Sequence, residues 1–236
     1  MRRPAVLLAA LAVLAPATCF AQGALLLDWD GCSADGTKDK FFACDTNVGD
    51  PFEMYASIRL PATLPALGTA TFSFHVNVEG AGIPPWWQTA YGACRSQALD
   101  VPFQPAHFLT ACPVLWNSSE IGGTFQLRDS TDPAFDFQVY GAAAGAASRA
   151  LADGTEYVVL KITLDRTRSV GPDACAGCAL GAEIVFDRCD LQQGGNYPRY
   201  AITAPAWPGA NRVTWNAGPP VATANRTWGA IKGLYR

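Results

Sequence analysis

The stretch that most constrains the fold of this chain runs from Leu151 to Leu191, where two strand patterns flank a loop with a pair of cysteines. Between residues 157 and 164, apolar and polar side chains alternate, and one face collects Val158, Leu160, Ile162 and Leu164. Successive side chains of a strand point to opposite faces, so this pattern predicts a half-buried β-strand.

The residues before this strand form a turn sequence, Leu151-Ala-Asp-Gly-Thr-Glu-Tyr157, that ends on a tyrosine. It resembles the tyrosine corner of fibronectin-type and immunoglobulin-like sandwiches, in which a Tyr hydroxyl bonds back to the preceding turn. The resemblance implies a sandwich architecture and carries no implication for activity.

Similar strand patterns recur along the chain, at residues 24–29, 52–60, 68–78, 123–128, 134–140, 199–204 and 211–215. Glycine, proline and asparagine separate them, and an Ala/Gly segment at 141–148 is predicted to be a turn. The count is roughly eight or nine strands with no long helix. The predicted fold class is therefore all-β, an antiparallel β-sandwich of immunoglobulin or jelly-roll type with disulfide-stapled loops.

The N-terminus predicts export. Arg2 and Arg3 precede an apolar run and then small residues, which is the pattern of a secretory signal peptide. Cleavage after Ala21 fits the small-residue rule, and cleavage after Ala17 fits it as well. No later segment approaches the ~18 uninterrupted apolar residues of a membrane span. We therefore expect a secreted or periplasmic protein.

The remaining length fits one domain. We predict a signal peptide at 1–21 and a single β-sandwich domain at 22–236, with a short C-terminal tail at 225–236. Without Arg2 and Arg3 the chain has 15 basic and 20 acidic residues, a net charge of −5. This charge disfavours nucleic acid as a partner.

Eight cysteines in an exported chain predict disulfides. Short sequence spacings favour local loops, with Cys32 bonded to Cys44, Cys94 bonded to Cys112, and one bond within the trio Cys175, Cys178 and Cys189. The third thiol of the trio stays free unless Cys19 is retained as its partner.

The Cys175-Ala-Gly-Cys178 motif does not predict a cofactor. It lacks the following histidine of a c-type haem site, and it lies between strands rather than at the helix N-terminus of a thioredoxin-type redox pair. A zinc ribbon would need a second close pair. The acidic run from Asp28 to Asp39 offers oxygen ligands that calcium prefers, but Cys32 and Ser33 break the EF-hand spacing. Asx-rich turns account for this cluster, so no metal site is predicted.

The long connection from 82 to 123 contains five prolines, and connections of this length are usually functional or stapled. Trp86 and Trp87 follow two prolines here, and Gln88, Tyr91 and Arg95 come close behind. Neighbours in an extended segment face opposite ways, so at most one tryptophan is expected in the core. The other, with the polar residues beside it, would bind a glycan or a cell-surface protein. The alternative is that both rings cover the open end of the sandwich.

Signatures of catalysis are sparse. The sequence has no H-E-x-x-H, G-x-S-x-G or P-loop motif. Its two histidines are interpreted as a surface side chain, His75, and a loop contact, His107. The predicted function is a non-catalytic exported module that binds a ligand or has a structural role in the envelope or extracellular space. The alternative is a secreted glycan-acting hydrolase with paired carboxylates.

Several motifs taken together resemble a group of uncharacterised secreted bacterial proteins: W-D-G-C with F-A-C-D-T-N, P-P-W-W with G-A-C-R, C-A-G-C, N-R-V-T-W-N and the tail T-W-G-A-I-K-G-L-Y-R. The resemblance covers most of the chain after the signal peptide and implies secretion without an established activity. This chain differs at Glu183, where some members carry a cysteine, and has Cys189 six residues later.

Overall fold

The computed structural model describes residues 23–216 except 81, 109, 117–120, 131, 133 and 196, so the predicted signal peptide at 1–21 and the predicted tail at 225–236 lie outside the described residues. It contains two short 3-10 helices, Pro85–Trp87 and Pro105–His107. The strands are β1 (Ala24–Trp29), β2 (Asp39–Lys40), β3 (Phe52–Arg59), β4 (Leu64–Val78), β5 (Leu99–Asp100), β6 (Ile121–Asp129), β7 (Phe137–Leu151), β8 (Glu156–Leu164), β9 (Ala182–Gln193), β10 (Tyr200–Ile202) and β11 (Arg212–Trp215).

The strands form two sheets. The first has four strands in the order β1-β3-β8-β5, and the second has seven, in the order β2-β11-β9-β4-β7-β6 with β10 also paired to β9. Only the short β2–β11 pair is parallel among the described strand pairs. Buried residues from both sheets form one hydrophobic cluster. The predicted antiparallel, disulfide-stapled β-sandwich is confirmed. Among the residues described, no helix is long and apolar enough to cross a membrane.

Aromatic rings join the two sheets at one end of the sandwich. Trp215 of β11 lies 4.7 Å, centroid to centroid, from Phe52 of β3 and 6.0 Å from Trp29 of β1. All three side chains are buried. Burial of such rings contributes about 1.5–3 kcal/mol each, which makes this end a main source of stability.

The tyrosine corner is present. The hydroxyl of Tyr157 accepts a hydrogen bond from the backbone N–H of Ala152 at 3.0 Å, and the ring is buried at the start of β8. The polar face of β8 is less exposed than the alternation predicts, because Lys161 is buried and its Nζ pairs with Glu53 at 2.7 Å.

The Ala/Gly segment at 141–148 is a strand, so the predicted turn is wrong. β7 continues through it and pairs with β4 and β6. Small residues are needed here because a Cβ atom at Gly141 would overlap the ring of Phe72 on the neighbouring strand. The segment therefore reflects close packing within the sheet rather than a change of direction.

The disulfides join distant parts of the chain, so the predicted local pairs are wrong. The bonds are Cys32–Cys112, Cys44–Cys178 and Cys94–Cys175, with sequence separations of 80, 134 and 81 residues. Each closes a loop long enough to destabilise the unfolded chain by on the order of 4–5 kcal/mol in the chain-entropy account. Cys189 is a free thiol within the core, and burial raises its pKa.

Candidate functional site

Trp86 and Trp87 both lie in the core, which corrects the expectation that one of them is exposed. They belong to the 3-10 helix Pro85–Trp87 rather than to an extended segment, and they are 0% and 3% exposed. Proline fits the first position of such a turn. With about three residues per turn, neighbouring side chains diverge by about 120° instead of 180°, so both can point inward. The rings meet edge to face at 5.2 Å.

Arg95 and Trp86 form a buried unit whose polar side-chain groups are bonded to the protein itself. The Trp86 Nε1 donates to Ser169 Oγ at 3.0 Å, and the guanidinium carbon of Arg95 lies 3.7 Å from the Trp86 ring. Arg95 also donates to Trp86 O at 3.0 Å, to Thr167 O at 2.8 Å and to both Asp165 O and Oδ1. Burial lowers the Arg95 pKa to about 10 despite the opposing effect of Asp165.

Two adjoining cavities lie on the open side of the sandwich, where β5 and β6 form the edges of the two sheets. We call them together the β6 groove. The inner cavity has a volume of about 250 Å³ and the outer cavity about 670 Å³. Thr89, Ala90 and Leu127 line both, so the two are continuous. The inner one is also lined by Ile83, Trp87, Gln88, Ala93, Arg128, Asp129 and Phe137, and the outer one by Tyr91, Gln97, Leu99, Asp100, Phe125 and Gln126.

Two buried polar atoms in the wall of this groove have no hydrogen-bond partner among the described residues: Trp87 Nε1 and Thr89 Oγ1. Their residues are 3% and 5% exposed. A buried polar group without a partner costs about 1–3 kcal/mol, so these two groups are unusual within the structure. Three further atoms share this condition elsewhere in the described chain, on Asp28, Thr69 and Asp187.

The predicted binding residues separate into two groups. Trp87 and Gln88 line the inner cavity, and Tyr91 lines the outer one with 92% of its surface exposed. Trp86 and Arg95 do not line this groove. Thr89 was missed, because a threonine in a coil carries no sequence signal that separates it from other threonines.

The histidines differ from each other. His107 is exposed in the second 3-10 helix. His75 is buried, so its interpretation as a surface side chain is wrong. The residue lies on the outer face of the seven-stranded sheet, and its ring contacts that of Phe135 at 4.9 Å. The loop between β6 and β7 covers this face, which alternation within β4 alone does not reveal.

The acidic run at 28–39 is engaged with the protein itself. Asp28 Oδ1 pairs with Lys38 at 2.8 Å, and Asp30 Oδ2 pairs with Lys40 at 2.6 Å. One grouping among the described residues has metal-type ligands, and it includes Cys32 of this run together with Cys112 and Glu156. Its two sulfurs are joined in a disulfide and therefore cannot bind as thiolates.

The chain matches no known protein family, and no curated protein is significantly similar to it. Its function is therefore argued from the β6 groove and its lining.

Proposed function

We propose that this protein is an exported binding module that holds a glycan in the β6 groove. The observation that carries the proposal is the pair of unpartnered buried atoms, Trp87 Nε1 and Thr89 Oγ1, in the wall of one cavity. Folding leaves these atoms desolvated, at a cost that a bound hydrogen-bonding ligand would offset.

The chemistry of the lining favours a sugar. An indole N–H can only donate, whereas a threonine hydroxyl donates and accepts, and sugar hydroxyls satisfy both. Amide side chains from Gln88, Gln97 and Gln126 add donors and acceptors around the groove. This combination of hydroxyl, indole and amide groups suits a neutral, hydroxyl-rich ligand better than an apolar one.

The apolar part of the groove also suits a sugar ring. Phe125 and Leu127 of β6 are half-buried and face the outer cavity opposite Leu99. Tyr91 offers a nearly free ring at the same cavity. Aromatic and aliphatic surfaces accept the C–H faces of a pyranose, while polar groups fix its orientation.

Export is part of the proposal. Three disulfides tie loops across the chain, and such bonds persist in oxidising compartments. Together with the signal-peptide pattern at 1–21, they favour action in the envelope or outside the cell.

The test is a panel of immobilised neutral oligosaccharides and cell-wall polysaccharides, probed with the parent protein and with Trp87→Phe and Thr89→Val. Each substitution removes one unpartnered polar group while keeping most of the apolar surface. We expect a signal from the parent that falls by about 10-fold or more in either variant. Trp207→Phe is the matched control, because Trp207 is half-exposed and does not line the groove. Binding that survives both groove substitutions would contradict the proposal.

A glycan-acting hydrolase is the second candidate, because each cavity carries a carboxylate, Asp129 in the inner one and Asp100 in the outer one. Release of reducing ends from any polysaccharide bound in the panel would favour it. That release should then disappear in Asp100→Asn or Asp129→Asn while binding remains.

A further inference from the structure

A serine, a histidine and an aspartate meet on the outer face of the seven-stranded sheet, away from the β6 groove. His75 of β4 places its Nδ1 2.8 Å from Ser130 Oγ and its Nε2 3.1 Å from Asp187 Oδ2. Ser130 follows β6, and Asp187 lies on β9. Three separate chain segments thus bring together a hydroxyl, an imidazole and a carboxylate, which is the arrangement of a nucleophile, a base and its orienting group.

A β-bulge directs the carboxylate to this position. Along the β4–β9 pair, Phe74 lies opposite Phe186 and Ser73 lies opposite Arg188, so Asp187 is the extra residue between them. Bulges turn a side chain away from its regular direction and recur beside active sites. Asp187 Oδ2 faces His75, and Oδ1 is buried with no partner among the described residues. This oxygen gives the cluster an unsatisfied group that a purely structural network would not need.

The surrounding bonds favour one tautomer of His75. A proton on Nε2 donates to the Asp187 carboxylate, whereas a lone pair there would face a negative charge. The amide nitrogen of Gln138 also lies 3.3 Å from His75 Nε2, but its main contact is Ser73 Oγ. Arg128 Nε donates to Gln138 Oε1 at 2.7 Å, which fixes the orientation of the amide. With Nε2 protonated, the lone pair on Nδ1 points at the Ser130 hydroxyl.

Ser130 and Asp187 are both partly exposed members of the cluster. Ser130 is half-buried, whereas His75 is 5% exposed behind it. The Ser130 Oγ also lies 2.9 Å from Asp132 O and accepts from Asp132 N at 3.1 Å. The Ser130 hydroxyl therefore has two acceptors within reach of its proton, Asp132 O and His75 Nδ1. Rotation of this proton toward His75 produces the geometry that general-base catalysis requires.

We propose that Ser130, His75 and Asp187 form an acyl-transfer site that hydrolyses small esters at the surface of the protein. Ser130 Oγ forms a bond to the ester carbonyl carbon while its proton moves to His75 Nδ1. The bond to the alcohol oxygen then breaks, and the alcohol leaves with that proton. Water attacks the acyl-Ser130 in the same way and releases the acid, so the net reaction is ester plus water to acid plus alcohol. Asp187 is a positioning residue that holds the imidazole and stabilises its charged form.

The first experiment uses a biotinylated fluorophosphonate, which reacts with activated serines by forming an Oγ–P bond and losing fluoride. The full exported chain is incubated with the probe, and the labelled peptide is identified by mass spectrometry. We expect label on Ser130 that Ser130→Ala abolishes. Ser148→Ala is the matched control, because Ser148 is exposed on β7 outside the cluster. Absence of label from the parent, or equal label in Ser130→Ala, overturns the proposal.

The second experiment measures kcat and KM for the hydrolysis of p-nitrophenyl acetate. Removing the base in His75→Gln should lower the Ser130-dependent rate by about 100-fold or more. Because that variant disrupts a buried network, Asp187→Asn provides the decisive comparison, with folding checked by thermal melting. It should lower kcat by about 10-fold or more with little change in KM, since the imidazole loses the carboxylate that positions it. An unchanged kcat in a folded Asp187→Asn protein contradicts the assigned role.

Discussion

The two faces of the Pro-Pro-Trp-Trp turn differ in how their polar groups are satisfied. On one side, Trp86 donates to Ser169, and the Arg95 guanidinium donates hydrogen bonds to three backbone carbonyls and a carboxylate. On the other side, Trp87 and Thr89 are equally buried, yet each has a polar atom without a partner in the described chain.

The other tryptophans make the contrast sharper. The buried indoles of Trp29, Trp116 and Trp215 donate to backbone carbonyls at 2.9–3.0 Å, as Trp86 does to a hydroxyl. Trp87 is the exception among the buried indoles that the structure describes. Burial alone therefore does not identify a functional residue in this protein. Burial combined with an unmet hydrogen bond at a cavity wall is the reason why we propose Trp87 and Thr89 as binding residues.

The largest expected effect comes from the satisfied side. Arg95→Met removes a buried charge and leaves the carbonyls of Trp86, Asp165 and Thr167 unpaired, so the free energy of unfolding should fall by about 3–5 kcal/mol. Arg168→Met is the control, because Arg168 is exposed and donates to one carbonyl, that of Cys94. Urea unfolding of both variants measures the difference. Similar losses in the two would break the contrast.

A paired indole substitution tests the turn itself. Trp86→Phe removes a bonded donor from a fully buried site and should cost about 2 kcal/mol. Trp87→Phe also replaces the indole by a smaller ring, but the donor that it removes has no partner among the described residues. The loss of unfolding free energy should therefore be smaller than in Trp86→Phe by about 1 kcal/mol or more. Chemical denaturation of the ligand-free proteins provides the comparison. Equal destabilisation would mean that Trp87 Nε1 is satisfied in solution.

The smallest expected effects come from deleting single hydroxyls. Tyr157→Phe leaves the Ala152 N–H without its acceptor and should lower stability by about 1 kcal/mol. Thr89→Val removes a hydroxyl that has no hydrogen-bond partner among the described residues, so stability should stay within about 0.5 kcal/mol of the parent or rise. Differential scanning calorimetry measures the melting temperatures of both variants. We expect a lower melting temperature for Tyr157→Phe and an unchanged or higher one for Thr89→Val. A loss of 1 kcal/mol in Thr89→Val would contradict the assignment of its hydroxyl.

The sequence predicts the architecture well because local rules determine it. Alternation identifies β3, β4 and β8, a short apolar run identifies β1, and the turn before Tyr157 identifies the sandwich corner. The Ala/Gly part of β7 was missed, because its reason is the ring of Phe72 on another strand.

The disulfides and the candidate site could not be predicted in the same way. Loop lengths favour local pairs, but the fold brings Cys94 next to Cys175 and Cys44 next to Cys178. Alternation likewise cannot show that a later loop buries His75, or that an unremarkable Thr89 lies in a cavity wall. These features depend on contacts between distant segments, which periodicity does not encode.

The most direct test of the account is the response of the indole N–H resonances to ligand. In a ¹H–¹⁵N spectrum, the Trp87 signal is assigned by its loss in Trp87→Phe, and the strongest-binding oligosaccharide from the panel is titrated in. We predict that the Trp87 indole resonance moves downfield with saturation, as it gains a hydrogen bond, while the already bonded Trp86 and Trp215 resonances remain in place. Saturable binding that leaves the Trp87 resonance unmoved would contradict the claim that its unpartnered donor serves the ligand.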